Sequence, residues 1–123
     1  MKFKWHQMIL ACVVGGFLAS SAVFAHHGNA SFDAAKTVTL KGTVTEWLWA
    51  NPHVFLKFDV KDEKGTVVGW NGVLGNPTDE MGKGYRRTLF KPGDQVEVTM
   101  HPSKSGAPVG AIVNIVLPNG QKF

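Results

Sequence analysis

Four histidines stand where an imidazole nitrogen could bind a metal or a ligand. His26 and His27 are in tandem, His53 follows Asn51-Pro52, and His101 ends an alternating apolar run. If a leader is removed after Ala25, His26 becomes the first residue and carries a free amine. Such a residue chelates a metal through that amine and its own Nδ1. A further imidazole completes a planar nitrogen set, which among the common metals suits Cu(II) best. Both nitrogens are largely available near neutral pH. The opposing reading makes His26-His27 a soluble start and His53 and His101 turn-edge residues bonded to backbone. No fixed Cys/His zinc spacing is present.

Other chemistries are mostly excluded. There is no nucleophile elbow, phosphate loop or His-Glu-x-x-His helix, and Gly82-Lys83-Gly84 lacks the third glycine of a dinucleotide site. The carboxylates of Asp62-Glu63 and Asp79-Glu80 read as solvated charge. Trp47, Trp49, Trp70, Phe55 and Phe58 would serve either as core or as a groove for a ligand. Phe55 is set apart, because Val54 and Leu56 beside it claim the inward face. Lys83, Arg86, Arg87 and Lys91 form a basic cluster that reads as a solvated face.

The elements that must position these residues begin with a leader. Lys2 and Lys4 precede an apolar stretch from Met8 to Phe24, and small residues lead to a cleavage point after Ala25. Residues 1–25 are thus expected to be a signal peptide that delivers the rest to the periplasm. The membrane is contacted only through that peptide before cleavage, and nucleic acid is not an expected partner. Cys12 is the sole cysteine and leaves with the leader, so no disulfide staples the mature chain. The net charge of +4 includes Lys2 and Lys4, so it falls by two, to +2, on cleavage.

Residues 26–36 read as a flexible arm. Extended, about ten residues reach roughly 30 Å, far enough to bring His26 and His27 to either histidine-bearing loop. Residues 37–123 form one β-domain. Val38, Leu40, Gly42 and Val44 share one face, and the phase flips after Glu46 to Trp47 and Trp49, which predicts a bulge. Val54, Leu56, Phe58 and Val60 point inward on a second strand. Asp62–Gly65 turns into a third, over about Thr66 to Leu74. Asn76-Pro77-Thr78-Asp79-Glu80 carries the chemistry of a helix start. Strand four follows Lys91-Pro92-Gly93-Asp94, and strand five runs from about Val109 to Leu117. Three strands, a short helix and two strands spell an all-β, five-stranded OB-fold-like Greek-key barrel, with the helix between strands 3 and 4. His53 and His101 then border the two loops that flank the usual binding face.

The chain resembles the bacterial domain-of-unknown-function family 6152, a group of small exported proteins. The resemblance rests on Ala25-His26-His27 with Phe32-Asp33, on Val38-Thr39-Leu40-Lys41-Gly42-Thr43-Val44, and on Asn51-Pro52-His53. Trp70, Gly84-Tyr85, Lys91-Pro92-Gly93-Asp94 and Leu117-Pro118-Asn119-Gly120 complete it. It implies no activity, and it places His26, His27, Asn51, Pro52 and His53 in the group's motif. Gly28 departs from the group's usual Ser, and Val73 stands where an acidic residue often follows the Trp.

Three functions follow in order. The first is a small non-enzymatic periplasmic binding protein. Its metal ligands for Cu(II) are His26, His27, His53 and His101, and Asn51, Pro52, Trp47, Trp49 and Phe55 are its ligand-binding residues. The second is an envelope interaction protein that recognises another protein or a cell-wall component. An enzyme ranks last, for want of a paired acid and base.

Overall fold

The computed structural model describes residues 31–123. The leader and its Cys12, and with them His26 and His27, lie outside the described residues.

Five strands close into a barrel in the order β1-β2-β3-β5-β4, with β4 returning to β1. They are β1 (Val38–Leu48), β2 (Phe55–Lys61), β3 (Val67–Val73), β4 (Gln95–Pro102) and β5 (Val109–Val116). All neighbours are antiparallel except β3 and β5. The short helix α1 (Pro77–Gly82) lies between β3 and β4. The all-β barrel and the place of its helix match the order read from the sequence.

The first strand serves two neighbours. Val38–Thr43 pairs with β4, and Thr43–Leu48 pairs with β2. Its register slips between Val44 and Glu46, leaving Thr45 as the extra residue. That bulge moves the inward series from Val44 to Trp47, the phase flip expected from the alternation. Gly42 lies where β1 passes tightly over β2: a Cβ there would meet the Asp59 carbonyl oxygen at 2.5 Å and the Phe58 ring at 2.8 Å.

Inward alternation builds the core. Val44, Leu56, Phe58, Val98, Met100 and Ile115 are almost fully buried. Trp47 is half-buried and packs edge-on against Phe90, with ring centroids 4.9 Å apart, while its Nε1 donates to the Arg86 carbonyl at 3.0 Å. Trp49 and Trp70 also pack against the core. At the C-terminus the chain folds back onto β5. The Phe123 N–H donates to Ile115 O and the Ile115 N–H to Phe123 O, and the Phe123 ring lies 5.4 Å from that of Tyr85.

The segment leading into β1 is anchored as well. Phe32 bridges Ser103, and the Asp33 N–H donates to Pro102 O at 2.8 Å. At the helix start, the Asn76 side chain accepts from the Asp79 N–H, with Pro77 in the first turn.

Candidate functional site

Register brings one row of outward side chains across four strands. Phe55 on β2 pairs with Val73 on β3, Val73 with Ala111 on β5, and Ala111 with His101 on β4. Their neighbours Leu56, Gly72, Gly110 and Met100 point inward and are buried, so these four point outward. All four are half-buried. Small residues occupy the middle and larger rings the flanks. His53 stands beside Phe55, with ring centroids 6.3 Å apart and the planes nearly perpendicular. Three steps between strands put the row's ends roughly 14 Å apart along the sheet. The two imidazoles therefore flank the face and do not converge on each other.

Both imidazoles are held in the same way. His53 Nδ1 lies 2.9 Å from Leu74 O, and His101 Nδ1 lies 2.7 Å from Lys36 O. A carbonyl oxygen only accepts, so each Nδ1 carries the proton and donates. The lone pair of each neutral ring then sits on Nε2, which is bonded to nothing among the described residues. This is the arrangement in which a backbone carbonyl orients an imidazole for a ligand on its other nitrogen.

One row further along, Lys57, Asn71 and Val109 lie side by side. Lys57 is tied to Glu46 at 2.9 Å. Asn71 Oδ1 is buried and accepts no hydrogen bond. An enclosed, unmet acceptor is costly and rare in a folded chain, and this one lies one row away from the row that ends at His101.

The other expected ligand-binding residues are spread over the β1–β2 loop and the barrel wall. Asn51 and Pro52 are exposed, joined by a cis peptide, and lead directly into His53. Trp47 and Trp49, 5.8 Å apart, turn towards the core and leave Phe55 as the aromatic of the outward row. Among the described residues no group of three or more His, Cys, Asp or Glu side chains could hold a metal ion. Two surface depressions, of about 300 and 480 Å³, have walls built around Lys41 and Gln95 and contain neither histidine.

One carboxylate behaves otherwise than its sequence context suggests. Glu80, expected to be solvated, is completely buried. Its Oε1 accepts from the Gly75 N–H at 3.0 Å and from Lys83 Nζ at 2.9 Å, while Oε2 has no partner. The turn before α1 folds back over the side chain, and a Cβ on residue 75 would stand 2.8 Å from Oε1 and push the carboxylate aside. Tyr85 is buried too. Loss of hydration and, after it, the negative charge of Glu80 hold its phenol well above the ordinary value of 10.0. The basic cluster is likewise partly committed: Lys83 pairs with Glu80, and Arg86 Nη1 donates to the carbonyls of Met81 and Tyr85.

Among the described residues no helix is long and apolar enough to cross a membrane. A family model described as a family of unknown function (DUF6152) matches residues 16–112. No curated protein and no solved structure matches the chain.

Proposed function

We propose that this chain, which belongs to the family of unknown function DUF6152, is a non-enzymatic binding module of the periplasm. It takes a small ligand on the outward face between His53 and His101, or Cu(II) at one or other of these histidines. The observation that supports this reading is the shared tethering of the two rings by Nδ1 to backbone carbonyls, which leaves the lone pair of each neutral ring on Nε2. Nitrogen donors of this kind favour Cu(II) over the other common divalent ions. In the copper version, His26 and His27 supply the amine-based chelate, and His53 or His101 the further imidazole that completes it.

Calorimetry with Cu(II), on protein recovered from the envelope, tests the reading. Heat of binding is expected, and it should weaken as the pH falls and imidazoles protonate. His53→Ala and His101→Ala are each expected to reduce it. Unchanged heat in both variants would remove the face from the copper site. Absence of heat, together with absence of binding by small hydrogen-bonding ligands, would end the proposal. The mass of the same protein tests the leader: a chain beginning at His26 is expected, and an intact precursor in the cytosol would contradict it.

A second reading, recognition of another envelope protein, has one observation in its favour. The β3–β5 pairing covers only Asn71–Val73, so the outer edge of β3 before Asn71 is not covered by β5. Val67 and Val68 there are 53% and 36% exposed. An apolar strand edge of this kind accepts an added strand. Val67→Lys should then abolish capture of a specific envelope protein without weakening Cu(II) binding.

A further inference from the structure

We propose that Glu80 is a positioning residue for His53, acting through the single peptide group that joins Leu74 to Gly75. The inference rests on the reading of His53 as a ligand-contacting residue and adds what prepares its nitrogen. The Leu74 carbonyl and the Gly75 N–H belong to one planar peptide. On one side the Glu80 carboxylate accepts from that N–H at 3.0 Å; on the other, His53 Nδ1–H donates to that carbonyl at 2.9 Å. Negative charge on the N–H side polarises the peptide and makes its oxygen a stronger acceptor. Electron density is thereby pushed into the imidazole, and Nε2 becomes the better donor to an electron-pair acceptor such as Cu(II). The arrangement is a carboxylate–histidine pair with one peptide inserted between its members.

The surroundings keep the relay in place. Glu80 Oε2 bonds to nothing, so both hydrogen bonds of the carboxylate fall on Oε1. Lys83 shares that oxygen, but its side chain is 64% exposed and its charge is screened by water. Backbone bonds fix the peptide from both ends, since Leu74 N–H donates to Val54 O and Val54 N–H donates to Gly75 O. A side chain at residue 75 would displace the carboxylate. His101 is the natural control. Its Nδ1 meets the Lys36 carbonyl, and among the described residues no carboxylate bonds the Thr37 N–H of that peptide.

Two measurements on the purified full chain test the relay without any ligand. Nitrogen-15 correlation spectra of the wild type, at a pH where imidazole is neutral, should place the His53 proton on Nδ1. Diethyl pyrocarbonate then reports the Nε2 lone pair: the nitrogen attacks a carbonyl carbon, and ethyl carbonate leaves as ethanol and CO₂. Glu80→Gln keeps an oxygen for the Gly75 N–H but removes the charge. It should slow acylation of His53 roughly twofold or more relative to His101. An equal rate ratio in wild type and variant would overturn the proposal. If the variant does not fold, the wild-type spectrum decides, and a His53 proton on Nε2 refutes the relay. Failure of Cu(II) and ligand titrations while both results hold would sink the binding reading and leave the relay standing.

Discussion

His101 on β4 directly opposes Ala111 on β5, and both side chains stand outside the barrel. This pairing gives the face its shape. The small methyl of Ala111 stands beside the ring, and the next two partners, Val73 and Phe55, carry the same outward row to His53. The order of strands around the barrel thus joins two histidines 48 residues apart in sequence into the flanks of one surface.

The crossing of β1 over β2 depends on the missing side chain at Gly42. Its nearest obstacle is the Asp59 carbonyl, which is backbone and cannot swing aside. Gly42→Ala is therefore expected to destabilise the chain by about 1–3 kcal/mol, the usual cost of overpacking a well-filled site. Urea unfolding at constant slope would measure it. A midpoint equal to wild type would show that the strands separate at no cost.

Tyr85 is the chain's one tyrosine, so tyrosinate absorbance reports it directly. Its phenol is raised above 10.0 by burial and by Glu80. The folded chain therefore keeps a proton that the unfolded chain releases above that value. By linkage this contribution is complete below about pH 10 and declines as the pH rises past it. Wild type should lose stability across that range more steeply than Tyr85→Phe. A folded protein whose phenol ionises near its ordinary value would contradict the burial of Tyr85 beside the charge of Glu80.

The helix cap is a third point of leverage. Asn76 Oδ1 accepts the Asp79 N–H at 3.0 Å, and Asn76 Nδ2 donates to Asp79 Oδ2 at 2.8 Å. Asn76→Ala should cost about 1 kcal/mol of stability in thermal or denaturant unfolding. An unchanged midpoint would mean that packing of Glu80 alone holds the turn.

Much of the fold was legible because it is written in local periodicity. Val54, Leu56 and Phe58 alternate on β2, Val96, Val98 and Met100 on β4, and Asn76-Pro77 announces the helix. The outward place of Phe55 followed from the same alternation. The site was legible only in part. His53 and His101 stood out by residue type, but their partners Leu74 and Lys36 are 21 and 65 residues away, and no local pattern encodes those bonds. The burial of Glu80 was hidden for a similar reason. Beside Asp79 at a helix start it looks like one more solvated acid, and only the return of Gly75 over it, with Lys83 and Tyr85 behind, encloses it. The glycine just before the cap was the available signal, since nothing in the Asn76-Pro77 turn itself requires glycine there.

Paramagnetic broadening of backbone amide signals by substoichiometric Cu(II) tests the face most directly. His53, Phe55 and Val73, or His101 and Ala111, are expected to lose intensity before the rest of the barrel, and His53→Ala or His101→Ala to abolish the loss on its own flank. Broadening that spares all five residues, or that appears first around Lys41 and Gln95, would contradict it.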